Sequence, residues 1–246
     1  MKIYTISRPS FDSEEFLIAL QQEGTSWKRS PNAKEAEELI EVAGRLCYFS
    51  FGDSQSKKSN AEFIRNVMKM GHNSLLEHVS WTFLITGISR SLTHQLVRHR
   101  VGITFSQLSQ QFHDETDAKF IEPEQLKDYP ELQSFWENAV NSSKQAYTKM
   151  KQTFESSGEI EDKNTIRSIA RSLLPNSTET KLVMTANARE LRHLIKLRGR
   201  RCCDYEMRRF IAGLLEKLKN ESSVLFSDLI IGQLDDGSPY IQQVDI

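Results

Sequence analysis

The chain has 246 residues, 38% hydrophobic and 26% charged, and its 32 Lys and Arg against 33 Asp and Glu leave a formal net charge of −1. That composition suits a folded globule and excludes a disordered chain, while the balanced charge argues against a dedicated nucleic-acid binder, which needs a basic excess to neutralise phosphates. Cys47, Cys202 and Cys203 are odd in number and form no C-x-x-C pair, so neither a disulfide framework nor a metal site is expected, and a reducing cytoplasm is the expected location.

In chain order, KIYTI at 2–6 alternates and is rich in β-formers, which predicts a short strand. Asp12 or Ser13 can cap a helix over about 14–22. After Asn32, the spacing of Ala36, Leu39, Ile40 and Ala43 predicts a helix ending near Cys47. A polar loop at 49–60 leads into a further helix that stops at Gly71. Val79, Trp81, Phe83 and Ile85 alternate as in a half-buried strand, and residues 89–99 read as a helix with Leu92 and Leu96 inward.

The middle of the chain predicts one long helix over 131–157, with Leu132, Phe135, Trp136, Ala139 and Ala146 as its apolar stripe. Another helix at about 164–174 halts before Pro175. TKLVMTANA at 180–188 reads as a strand, and helices follow over about 188–198 and 203–219. The N-terminal residues hold no long apolar run, so no signal peptide is expected, and no stretch nears the roughly 18 apolar residues of a membrane span. The expected fold class is α+β (mixed α/β), a modest central sheet flanked by helices with a long helix in the middle, in a soluble single domain.

Three clusters carry chemistry. GHNSLLEHVSWTF places His72 and His78 at a strand start with no third ligand at metal spacing, so by itself it reads equally as loop histidines. QLVRHR sets Arg98, His99 and Arg100 side by side. If helical, it aligns Arg90, His94 and Arg98 in an i, i+4, i+8 row with Gln95 beside Arg98. A guanidinium beside an amide suits a planar ligand or a phosphate; the alternative is a helix end whose cations complement the dipole. Gly102 permits an unusual turn, and Thr104, Ser106, Gln107, Ser109, Gln110 and Gln111 then supply neutral donors. NARELRHLIKLRGRRCC places Arg189 and His193 at i, i+4, with Leu191, Leu194 and Ile195 inward; its basic run reads as a solvated face or an RNA contact.

Taken in order, GHNSLLEHVSWTF, QLVRHR with SQLSQQF, ARSLLP and NARELRHLIKLR resemble the flavin-dependent thymidylate synthases, from about Leu39 to Phe226. The resemblance implies one such domain over 1–246. The implied activity is reductive methylation of deoxyuridylate (dUMP) to thymidylate with FAD as flavin and NADPH and methylenetetrahydrofolate as co-substrates. It implies FAD contacts from His78, Ser80, Arg98, His99, Arg100, Gln107, Asn187, Arg189 and His193. It implies dUMP contacts from Gln95, Arg98, Gln107, Ser109, Gln110, Gln111, Arg171 and Arg198, with Arg171 serving a neighbouring subunit. Arg198 falls where the family places the arginine that favours the ionised uracil ring, so it is the catalytic candidate. The family also implies a homotetramer with shared sites, with no nucleic acid or membrane as partner.

Two departures stand out. Eight residues, VGITFSQL, separate RHR from Ser109 where the family pattern has seven, and Gly102 is positioned to absorb the extra one as a bulge. Gln111 stands where the family usually has Arg, which costs anion binding roughly 1–3 kcal/mol unless a cation such as Arg90 or Arg201 replaces it. The acceptor therefore stays open between dUMP and another pyrimidine nucleotide such as UMP, and a non-catalytic flavin-binding relative remains a rival. Cys202 and Cys203 are expected inside a helix as small buried residues, without a nucleophilic role.

Overall fold

The computed structural model describes residues 1–245; Ile246, the last residue of the expected domain, lies outside the described residues. The fold is mixed helix and strand, with a small sheet flanked by helices. The sheet has four strands in the order β1 (Lys2–Ser7), β2 (Ser80–Ser89), β4 (Glu179–Asn187), β3 (Ile103–Gln107). The chain clusters into two compact units, one of residues 1–2, 84–98 and 105–183, the other of residues 3–83, 99–104 and 184–246.

In the second unit, α2 (Glu35–Leu46) and α3 (Asn60–Lys69) pack on each other and on a 3-10 turn at Asn73–His78. Ser59 caps α3 in a capping box: Glu62 N–H donates to its hydroxyl at 3.4 Å and Ser59 N–H donates to the Glu62 carboxylate at 2.8 Å. Asn32 does not start α2; it sits in a left-handed turn at φ 63°, and the helix begins three residues later. α1 (Ser13–Gln22) is capped by Asp12, and Phe16 joins Trp27 and Phe51 in an aromatic cluster near the chain start.

α7 (Ala188–Arg198) and α8 (Tyr205–Glu221) form the other half of this unit. α8 repeats Met207, Phe210, Ile211, Leu214, Leu215 and Leu218 at helical spacing, and all six are buried. The antiparallel hairpin β5 (Leu229–Gln233) and β6 (Pro239–Gln243) packs on α7 and α8 and lies beyond the elements expected from periodicity. Its turn contains Asp236-Gly237, with Gly237 at φ 73°, the backbone that such a dipeptide favours.

In the first unit, α5 (Pro130–Ser157) packs on α6 (Lys163–Ala170) and on a 3-10 turn at Arg171–Leu173. The expected single helix at 164–174 therefore ends early. Leu174 is extended before Pro175, whose ring disfavours the helical backbone at the preceding residue. The expected stripe of α5 is also corrected: the buried residues are Val140 and Tyr147, while Leu132 and Phe135 stay 51% and 72% exposed. The Ser143 hydroxyl donates to the carbonyl of Leu173 in the 3-10 turn, and the Tyr147 hydroxyl accepts from Glu115 N–H at 3.1 Å. α4 (Arg90–Leu96) stops two residues before Arg98, so the expected row through Arg98 does not form and the RHR stretch is not helical.

Candidate active site

Within the second unit, α7 supplies the frame. Asn187 is its N-cap, its side chain accepting from Glu190 N–H at 2.9 Å. Gly102, at φ 69°, accepts from Asn187 N–H at 3.0 Å through its carbonyl, so the turn after RHR is fastened to the start of α7. A Cβ at Gly102 would lie 2.5 Å from the Asn187 amide nitrogen, and only glycine fits there. At the other end of α7, Gly199 accepts from Ile241 N–H at 2.7 Å, which ties the helix terminus to β6.

His99 leaves the RHR turn and is buried against α7. Its Nδ1 lies 3.0 Å from Glu190 Oε1, and its Nε2 accepts from Arg198 Nε at 3.1 Å. Burial holds the imidazole pKa below its ordinary value; the Glu190 carboxylate opposes this, and Arg198 and His193 add to it. The His193 ring stands 6.0 Å from that of His99. His99, Glu190 and His193 bring three ligand atoms within 4.8 Å of one another. Both nitrogens of His99 are already engaged, so a metal there must displace Arg198 or Glu190.

A cleft of about 440 Å³ opens beside this array, lined by Gly102, Asn187, Arg189, His193, Lys196 and Glu77, and Arg189 pairs with Glu77. Burial lowers the Lys196 pKa, as does neighbouring Arg192, with Asp228 opposing. A second cleft of about 650 Å³ shares Asn73 and Arg189 with the first and is walled by Tyr48, Phe63, Met70 and His72. The expected residues Asn187, Arg189, His193 and His99 thus converge here, with Arg198 on His99. His78 and Ser80 are exposed at the strand start and line neither cleft; their turn contributes Asn73 and Glu77 instead. Arg100 is exposed and lines neither. Glu77 and Glu190 escape a search for cationic motifs, while Lys196 belongs to the basic run already singled out. Glu190 alone leaves a signal, as the acid three residues after a helix-capping Asn.

In the first unit, the stretch Gln107–Gln111 begins at the last residue of β3. Gln107 donates to Thr180 Oγ1 at 3.3 Å, Leu108 N–H to the Lys181 carbonyl at 3.0 Å, and Gln111 N–H to Ser109 Oγ at 3.3 Å. Arg90 donates to the Leu108 carbonyl at 3.3 Å. Its burial lowers the guanidinium pKa, Glu115 counters, and nearby Arg171 adds to the lowering. Burial raises the pKa of the Glu115 carboxyl. The Gln110 side-chain amide nitrogen is buried without a hydrogen-bond partner, which leaves an unspent donor beside Ser109 and Gln111. Of the cations offered to replace the missing one at Gln111, Arg90 stands beside Arg171. Arg201 instead donates to the Tyr240 hydroxyl at 2.9 Å and stacks on that ring. Gln95 is half-buried on α4, and Arg98 is exposed just beyond it.

The basic run at 196–201 presents no single face, since Arg198 is turned onto His99 and Arg201 onto Tyr240. Cys202 and Cys203 lie in the turn before α8, not inside it, and Cys202 is exposed. Asp204 occupies the N-cap position of α8.

Residues 31–222 match the family described as "Thymidylate synthase complementing protein". The chain belongs to this family. Among similar proteins, the flavin-dependent thymidylate synthase of Corynebacterium efficiens is 39% identical over 221 residues, covering 85% of this chain and 88% of its own. That of Mycobacteroides abscessus is 39% identical over 215 residues, covering 85% and 86%. That of Corynebacterium aurimucosum is 37% identical over 229 residues, covering 89% and 92%. The family match spans the three motif clusters and runs from the start of α2 to the end of α8.

Proposed function

We propose that this family member is a flavin-dependent thymidylate synthase, a methyltransferase that converts dUMP to thymidylate. The observation that carries the reading is the hydrogen bond from Arg198 to His99 beside the cleft lined by Arg189, His193 and Lys196. It joins the RHR motif to the arginine that the family resemblance assigns to the uracil ring. FAD suits the donor set: Arg189 and Lys196 offer charge for a pyrophosphate, and Asn187 and His193 offer hydrogen bonds to a planar ring. When bound, FAD supplies hydride transfer, drawing on NADPH, while methylenetetrahydrofolate supplies the carbon.

The protein's own contribution is placement and charge. Arg198 stays protonated, so it stabilises negative charge that develops on the pyrimidine as C5 becomes nucleophilic. Its Nε is held by a buried imidazole, so less reorganisation is needed as that charge appears. Arg90 and Arg171 supply the positive charge for a nucleotide phosphate, Arg90 taking the part left open by Gln111. Ser109, Gln107 and Gln110 offer neutral hydrogen bonds to the nucleotide, with the Gln110 amide already desolvated. Gln95, Arg98, Arg100, His78 and Ser80 keep their assigned contacts by resemblance.

The further reading is a cytoplasmic homotetramer with sites completed between subunits, acting on small molecules and not on nucleic acid. The unbroken family match over 31–222 supports treating 1–246 as one functional domain. No described helix is long and apolar enough to cross a membrane. The test is anaerobic: NADPH is added to FAD-loaded protein with dUMP, with UMP, or with neither, and the oxidised-flavin band is followed. Faster bleaching with dUMP, and thymidylate on adding methylenetetrahydrofolate, is expected. Equal response to UMP reassigns the acceptor, and a protein that takes up no FAD ends the reading.

A further inference from the structure

The three-residue chain Glu190–His99–Arg198 contains a constraint that the family resemblance does not state. A guanidinium has donors only, so the His99 nitrogen that receives Arg198 Nε–H must be an unprotonated acceptor. That nitrogen is Nε2. A neutral imidazole then carries its proton on Nδ1, 3.0 Å from Glu190 Oε1. His99 is 8% exposed and the Glu190 side chain 12%, so water competes weakly for either bond.

We propose that Glu190 is a positioning residue for the reaction: by taking the Nδ1 proton of His99 it keeps Nε2 open for Arg198 and so orients the catalytic guanidinium. The proposal rests on the reading that Arg198 acts on the pyrimidine. The carboxylate is itself well anchored. Glu190 is the third residue of α7, its N–H bonded to the Asn187 cap, where the positive end of the helix favours a negative side chain. Arg198 ends the same helix, two turns on, so both partners of His99 are fixed by one rigid element. With Nε committed to His99, rotation of the guanidinium about its Cδ–Nε bond is restricted. Without Glu190, the Nε2–H tautomer of His99 becomes accessible and sets two donors against each other across the same contact.

His193 is the other titratable ring beside His99, and its engagement does not alter the argument, because Arg198 accepts no proton from either ring. The metal alternative at His99, Glu190 and His193 makes the opposite prediction, since a bound ion takes a lone pair that the relay needs.

The experiment combines histidine-selective 15N NMR with steady-state kinetics on the FAD-loaded protein. The His99 signal is assigned by its loss in His99→Gln. In the wild type it is expected as the Nδ1–H tautomer. In Glu190→Ala it shifts toward Nε2–H, and kcat falls about tenfold to a hundredfold, as for other groups that orient a functional histidine. FAD affinity and the KM for dUMP change less, because orientation of a charge used in the transition state is what is lost. Glu190→Gln keeps an acceptor oxygen and restores most of kcat and the Nδ1–H pattern. An Nε2–H tautomer in the wild type, or an unchanged kcat in folded Glu190→Ala, overturns the proposal. So does zinc binding with loss of the Arg198 contact while activity is kept. The wild-type spectrum decides even where the Ala variant does not fold. A wild type that shows the Nδ1–H tautomer yet makes no thymidylate defeats the functional reading and leaves the relay standing.

Discussion

Gly102 shows how much one residue carries at this site. Its φ of 69° is strained for any side chain, and a Cβ would meet the Asn187 side chain. Gly102→Ala is expected to cost about 1–2 kcal/mol in backbone strain alone, and to weaken FAD binding by displacing Asn187. Urea unfolding and a flavin titration measure the two effects separately. Asn187→Ala removes the α7 cap at a cost of about 1 kcal/mol. His99 makes stability pH-dependent. Its folded pKa is lowered, chiefly by burial, so the unfolded chain takes up the proton first as pH falls below about 6.5. The unfolded state then binds more protons, and stability declines from there down to the folded pKa. The acid limb of urea-midpoint stability against pH is expected to be flatter in His99→Gln than in the wild type. At this scale the cationic and amide residues are legible in the sequence because their chemistry is intrinsic. Glu190 is not, because an acid in the first turn of a helix is ordinary until His99, ninety-one residues earlier, is folded against it.

At the scale of elements, α7 is the member whose placement matters most, and three contacts fix it. Gly102 holds its start, the buried pair of Arg192 and Asp228 holds its middle with two bonds of 2.7 Å, and Gly199 holds its end. Asp228→Ala leaves a buried guanidinium without its partner and is expected to cost about 3–5 kcal/mol. Replacing both members with apolar residues of similar volume is expected to cost far less; thermal or urea unfolding of the three proteins decides it. Gly199→Ala drives a Cβ into Ile241 and within 2.7 Å of the Ile195 carbonyl. It is expected to lift the hairpin and lower kcat through Arg198 more than it lowers FAD affinity. Element type was legible where periodicity is strong: α7 is found over the span its pattern predicts, and α8 and β4 within two residues. Periodicity failed at QLVRHR, where it continued a helix through residues that the turn redirects. It also failed for β5 and β6, since LIIGQ runs three apolar residues together and PYIQQ opens on proline, so neither alternates as KIYTI does.

At the scale of the whole molecule, the long helix α5 leaves Leu132 and Phe135 exposed in its first two turns. The proposed assembly of four chains is the natural cover for such a surface. Phe135→Lys with Leu132→Lys is expected to shift the protein to smaller species in sedimentation velocity and to lower activity, with its circular dichroism unchanged. Intact assembly in that variant places the subunit contacts elsewhere. The net charge of −1 leaves no long-range field to gather polyanions, so the proposed nucleotide binding draws on local cations such as Arg90 and Arg171.

The order and chemistry of the motifs, the type of most elements and the family are properties of local spacing and side-chain identity, and the sequence by itself determined them. Which residues meet was decided only by the tertiary structure. The apolar face that α5 buries, the departure of His99 from a helical path, the closing of Gly102 onto Asn187 and the joining of Glu190, His99 and Arg198 all depend on contacts between distant segments. Such contacts arise from packing and from the pairing of buried polar groups, which no local period encodes.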